Sequence, residues 1–166
     1  MSIVRTARCT CGKVEIEARG APIVSAVCHC DDCQAASRQL EALPGAAKIL
    51  DAAAGTPYVL YRNDRIACTK GEHLLEAHKL NEKSATSRLV ASCCNAAMLV
   101  RFNDIRHWTS VYRDRLAADA PPLEMRLNIK FKPEGVPLPD DLPSYKTISP
   151  GFALKLAGAR IAMLLG

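Results

Sequence analysis

Cys28-His29-Cys30-Asp31-Asp32-Cys33 joins an apolar run, Ile23-Val24-Ser25-Ala26-Val27-Cys28, to a segment of helix-forming composition from Gln34 to Leu43. The run reads as a strand, and Pro44-Gly45 ends the helix. On an extended chain Cys28 and Cys30 face one side, and the turn into a helix brings Cys33 round to join them. Three thiolates then converge on one zinc, whose fourth tetrahedral position is left for water, substrate or a distant ligand. The adjacent helix N-terminus favours thiolate over thiol. Asp31 and Asp32 sit where an N-cap and first-turn acids belong, and they are also candidates for moving a proton. By the same alternation His29 points away from the three sulfurs, as a core residue or a support for the ligands.

Upstream, residues 3–9 and 13–19 read as two short strands around a turn at Thr10-Cys11-Gly12. Val14, Ile16 and Ala18 alternate with Lys13, Glu15, Glu17 and Arg19, the period of a half-buried strand. Cys9 and Cys11 lie where that chain reverses, so both sulfurs can point towards one ion. Cys93-Cys94 is the candidate remote half of this first site, with one of the adjacent pair as a possible spectator. Cys68 stands alone on an expected strand and reads as a buried structural thiol. Five of the eight cysteines fall within C-x-C and C-x-C-x-x-C, a clustering that scattered core thiols would rarely produce.

The N-terminal stretch Met1 to Cys9 has no apolar run of signal-peptide length, and no stretch of 18 apolar residues occurs. The expectation is a cytoplasmic protein with reduced thiols, which favours metal over disulfides. The 166 residues, 49% hydrophobic and 23% charged, suit one globular domain. Lys and Arg exceed Asp and Glu by five. Seven zinc-bound thiolates on two Zn²⁺ would lower that excess to about +2, so no nucleic-acid partner is expected.

Further along, residues 46–54 suggest a short helical turn. Tyr58–Tyr61 and Arg65–Cys68 suggest a hairpin closed by Arg62-Asn63-Asp64. Strands are expected at Leu74–Leu80, Thr86–Ser92 and Met98–Phe102. Another is expected at Met125–Phe131, where Arg126, Lys130 and Lys132 form a basic face and Phe131 turns to the core. Five prolines between residues 133 and 150 read as an extended connector over 133–149. Ser149-Pro150 caps a helix over 150–166 that is apolar nearly all round, with Lys155 and Arg160 its only charges. Such a helix wants cover from its own domain or from a second copy in a homodimer; membrane attachment is not expected, as it is short.

On Cys9-Thr10-Cys11-Gly12-Lys13-Val14, Cys28-His29-Cys30-Asp31-Asp32-Cys33 and the cysteine segment around Cys94, the sequence resembles the glutathione-dependent formaldehyde-activating enzyme family, which includes the centromere protein V group. The resemblance spans about residues 5–105. It implies a mainly β fold of folded-over antiparallel sheets, a β-tent, with short helices, over residues 1–132. It also implies two zinc sites, a structural one from Cys9, Cys11 and the Cys93-Cys94 pair, and a functional one from Cys28, Cys30 and Cys33. The family usually closes its structural site with C-x-x-C-G. Here the stretch is Ala91-Ser92-Cys93-Cys94-Asn95, so Cys94 matches the second ligand, Ala91 occupies the first ligand's place, and Cys93, next to Cys94, is the candidate substitute. This marks a variant branch.

The activity implied is zinc-dependent carbon–sulfur lyase-like chemistry on a glutathione–formaldehyde type of thiol adduct. A zinc held by Cys28, Cys30 and Cys33 would lower the pKa of a small thiol such as glutathione. Arg38 and Lys48 are candidates for meeting a substrate carboxylate. The alternative is a zinc-stapled binding module without catalysis, using the apolar helix and the basic strand face. Thiol redox chemistry at Cys30-x-x-Cys33 fits less well, because Cys28 is extra and no βαβ pattern surrounds the motif.

Overall fold

The computed structural model describes residues 3–165. Its elements run β1 (Val4–Arg8), β2 (Glu15–Arg19), β3 (Val24–Cys28), α1 (Asp31–Glu41), β4 (Thr56–Arg62), β5 (Ile66–Lys70), β6 (Leu75–His78), β7 (Thr86–Ala91), β8 (Ala96–Phe102), β9 (Trp108–Tyr112), β10 (Met125–Leu127) and α2 (Pro150–Leu164). The protein is mainly sheet, in two sheets. A three-stranded sheet has the order β1-β2-β5, and a seven-stranded sheet has the order β10-β3-β4-β9-β8-β7-β6. All pairings are antiparallel except β10 on β3.

The period-2 pattern of β2 buries Ile16 and Ala18 against Val59, Tyr61, Leu99 and Val111 of the large sheet. That apolar layer joins the two sheets, and a side chain the size of Ile16 contributes roughly 1.5–3 kcal/mol by leaving water. The opposite face of the large sheet carries a second core, with Ala26, Tyr58, Leu60, Val100 and Leu127 meeting Leu40 of α1 and Phe152 and Leu156 of α2. Tyr58 and Leu60 alternate with Val59 and Tyr61 along β4, so one strand feeds both cores.

Four local expectations are corrected. Residues 46–54 form no helix, only a turn at 52–54. Asp51 shapes it, its Oδ1 accepting from the N–H groups of Ala53 and Gly55. β4 and β5 do not form a hairpin: β4 pairs with β3 and β9, β5 pairs with β2, and a 3-10 turn at Asn63–Arg65 carries the chain from one sheet to the other. The strand expected over 125–131 stops at Leu127, because Asn128 takes the left-handed conformation (φ 58°) and a 3-10 turn follows at Ile129–Phe131. Arg126 is therefore not part of a basic surface. It is buried and paired with Asp141 at 2.7 Å, while Phe131 is partly exposed instead of core-facing. Finally, α1 begins at Asp31 with Cys30 as its N-cap, so both aspartates lie in the first turn.

The segment from 143 to 147 runs beside β10, with backbone hydrogen bonds linking Arg126 to Pro143 and Tyr145, and Asn128 to Thr147. Ser149 then caps α2, its Oγ accepting from the Phe152 N–H at 3.0 Å. Only one stripe of α2 is covered; Leu154, Ile161 and Leu164 are exposed. No helix among the described residues is long and apolar enough to cross a membrane.

Candidate functional site

Seven of the eight cysteines gather into two groups. In the first, Cys9 and Cys11 come from the β1–β2 turn. That turn reverses at Gly12, where φ is +73°, a conformation glycine adopts without steric penalty. Cys93 and Cys94 come from the β7–β8 turn, closed by Asn95 at φ 53°. The Sγ separations are 3.7 Å for Cys9–Cys11, 3.9 Å for Cys9–Cys93, 3.3 Å for Cys11–Cys93 and 4.0 Å for Cys93–Cys94. Tetrahedral Zn–S bonds require sulfurs about 3.8 Å apart, so this donor set fits such an ion. Ala91, in contrast, is buried in the core, and Cys93 stands on the sulfur side of the turn.

The adjacent Cys93 and Cys94 are shifted in opposite directions. Burial opposes ionisation of Cys94, but the Cys11 and Ala96 backbone hydrogen bonds outweigh it and bring the thiol down to about 7. Burial, followed by hydrogen bonds to Cys11 and Cys9, pushes Cys93 up to about 12. The backbone N–H of Val14 donates to Cys9 Sγ at 3.2 Å. Cys68 lies apart, partly buried on β5, with its Sγ facing the carbonyls of Glu15 and Lys70.

The second group is Cys28 at the end of β3, Cys30 at the N-cap of α1 and Cys33 in its first turn. In both groups the sulfurs lie within 4.8 Å of one another, close enough to hold a metal ion. Hydrogen bonds from Cys30 and then Cys33 pull Cys28 down to about 3. Donating to Cys28 raises Cys30, and the same cause drives Cys33 well above the ordinary thiol range. Asn128 Nδ2 donates to Cys28 Sγ at 3.7 Å, and the Tyr58 hydroxyl donates to Cys33 Sγ at 3.9 Å.

His29 points away from the sulfurs, fully buried, with Nδ1 3.2 Å from the Ala53 carbonyl. Burial lowers its pKa, which favours the neutral ring. Gly55 makes room for it: a Cβ there would lie 2.6 Å from His29 Cε1 and 2.4 Å from Val27 Cγ1.

The three-sulfur group opens into a cavity of about 300 Å³ whose walls include Leu60, Val100, Phe102, Trp108, Leu127 and Phe152. Cys9, Cys11, Cys93 and Cys94 do not line this cavity. Asp32 is at the wall of this cavity, whereas Arg38 and Lys48 are not; Arg38 donates to Gln34 Oε1 instead. Sequence reasoning missed Tyr58, Asn128 and Arg88, a buried cation on the same wall. No local signal singles them out: Asn128 lies inside a run that alternates on to Phe131, and a charge such as Arg88 within a strand ordinarily faces solvent.

The family model described as glutathione-dependent formaldehyde-activating enzyme matches residues 4–117. The chain belongs to that family. No curated protein matches it. Among solved structures it is similar to a Rhodobacter sphaeroides protein, at 16% identity over 84% of this chain and 99% of that one, with a TM-score of 0.49.

Proposed function

We propose that this protein binds two zinc ions, one structural and one functional, and carries out reversible carbon–sulfur chemistry on a small thiol such as glutathione. The observation that carries the reading is the contrast between the two sulfur groups. Four sulfurs complete a tetrahedral set by themselves; three leave a position, and theirs faces the cavity.

Cys9, Cys11, Cys93 and Cys94 would hold the first ion, and Cys28, Cys30 and Cys33 the second. When bound, zinc supplies positive charge that keeps a small thiol ionised near neutral pH. The apolar walls limit water at the reacting carbon. Asn128 Nδ2 and the Tyr58 hydroxyl fix the Cys28 and Cys33 sulfurs by donating to them. The balanced reaction joins the thiolate sulfur to the formaldehyde carbon while the carbonyl oxygen takes up one proton; cleavage reverses both steps. The Asp32 carboxyl is the group at the cavity wall suited to move that proton.

The test combines metal analysis of protein purified without chelator with exchange spectroscopy of glutathione and formaldehyde. Two zincs per chain and adduct exchange above the uncatalysed rate support the reading; adduct exchange at the uncatalysed rate sinks the catalytic half. The non-catalytic module has one observation in its favour, the exposed Leu154, Ile161 and Leu164 on α2.

A further inference from the structure

Arg88 lies on β7, in register with Val100 of β8, which in turn pairs with Ser110 of β9. This row faces the cavity beside the three cysteines, and all three residues line it. Arg88 is only 3% exposed. A guanidinium offers five N–H donors and does not lose its charge. Here Nη2 donates to the Asp32 carbonyl at 3.3 Å, while Nε and Nη1, both buried, have no hydrogen-bond partner among the described residues. No carboxylate among them lies within ion-pair distance. A buried charge with donors unsatisfied is costly unless something of opposite sign meets it.

The neighbouring arginines sharpen the contrast. Arg106 also lines the cavity, but Asp104 engages its Nε and Nη2 at 2.9 and 2.6 Å, and its guanidinium carbon stacks 3.8 Å above Phe102. Arg126, equally buried, has Asp141. Arg126 also leaves its Nε unpartnered, but Asp141 meets its charge; among the described residues Arg88 alone of the three has no carboxylate partner, and the cavity beside it has a largely apolar surface. A carboxylate oxygen accepts from a guanidinium N–H in a charge-assisted bond, stronger than a neutral one.

We propose that Arg88 anchors a carboxylate, and that the ligand of this cavity is a molecule with an apolar, preferably aromatic, body and a carboxylate. Where the ligand is also the thiol substrate, this rests on the functional reading above; the carboxylate end stands without it. Among thiols, glutathione meets the carboxylate requirement, and a mercaptocarboxylate with an apolar skeleton meets that of the apolar walls as well. Arg88 is a specificity-determining residue at the end of the ligand remote from sulfur.

Trp108 is the single tryptophan of the chain and lines the same cavity, so its fluorescence reports occupancy. The full-length protein, with and without added zinc, is titrated with 3-phenylpropionate and with its neutral analogue 3-phenylpropanamide. The carboxylate is expected to bind at least about tenfold more tightly (about 1.4 kcal/mol). Arg88→Met and Arg88→Gln should each abolish the preference while leaving amide binding in place. Neither probe contains a thiol, so the preference should persist without zinc; a protein that takes up no metal yet discriminates would refute the metal reading alone. Equal binding of the two probes, no binding of either, or a preference retained in the folded Met or Gln variant would overturn the assignment.

Discussion

Cys11 Sγ lies 3.3 Å from Cys93 Sγ although 82 residues separate them. The first belongs to a turn of the three-stranded sheet and the second to a turn of the seven-stranded sheet, so an ion held between them would join the two sheets. Such a clip constrains a long loop of the unfolded chain, and metal bound only by the folded state adds its binding energy to stability. Cys93→Ser should therefore lower the zinc content from two to one. It should also remove a substantial share of the roughly 10–16 kcal/mol that structural zinc contributes in small domains. Metal analysis together with thermal melting checks this; an unchanged melting temperature would show that the four-sulfur group holds nothing of structural weight.

The three-sulfur group should behave differently. Its members fall within six residues at the β3–α1 junction, so they close no long loop. Cys33→Ser is expected to remove one zinc and reduce adduct exchange more than about 100-fold, since even residues supporting metal ligands are worth 10–100-fold. Its melting temperature should fall less than that of Cys93→Ser. The reverse order of stability losses would exchange the roles assigned to the two groups.

The two groups were legible because cysteine spacing is a local signal that survives without knowledge of the fold. So was the β1–β2 pair, whose register follows from one turn and one alternation. What the sequence could not supply was which sheet a strand joins. Tyr58–Tyr61 and Arg65–Cys68 both read as short apolar strands, but nothing in Arg62-Asn63-Asp64 distinguishes a hairpin loop from a passage between sheets. The end of β10 was hidden for a related reason: alternation continues on paper to Phe131, and only the left-handed backbone at Asn128 breaks it. Arg88 was obscured because a charged residue within an alternating strand is ordinarily on the solvent side. Its burial emerges from packing between β6, β8 and α1.

Tyr112 gives a pH-dependent test of the packing beneath the cavity. Burial pushes its phenol up to about 12 from an ordinary 10. The folded state thus favours the neutral form, and the stability associated with it is fully present below pH 10. Between pH 10 and 12 the unfolded chain ionises while the folded one does not, so stability falls, by a total of about 3 kcal/mol from this residue. The Tyr112 hydroxyl has no hydrogen-bond partner among the described residues, so Tyr112→Phe should fold well and lack this contribution. Denaturant melts of both proteins at several values from pH 9 to 12 give the difference. Parallel curves throughout would show that the phenol is not held neutral by burial.

Gly55 is the position where one methyl group tests the support of the three-sulfur site. A Cβ there would approach Val27 Cγ1 to 2.4 Å and the His29 ring to 2.6 and 2.8 Å, closer than packed atoms tolerate. The loop cannot easily withdraw, because Asp51 Oδ1 accepts from both the Ala53 and Gly55 N–H groups at 2.8 and 2.7 Å. His29 cannot readily yield either, being fully buried and held at Nδ1 by the Ala53 carbonyl. Since His29 sits between Cys28 and Cys30, displacing its ring moves the backbone that carries two of the three sulfurs. Gly55→Ala is expected to cost about 1–3 kcal/mol through overpacking. It should also weaken metal binding at this group roughly 10–100-fold, the range seen when residues that orient ligands are lost. The four-sulfur group, on other turns, should keep its affinity. Competition with a zinc-binding dye resolves the two populations, and equal weakening of both would point to general destabilisation in place of a local push through His29.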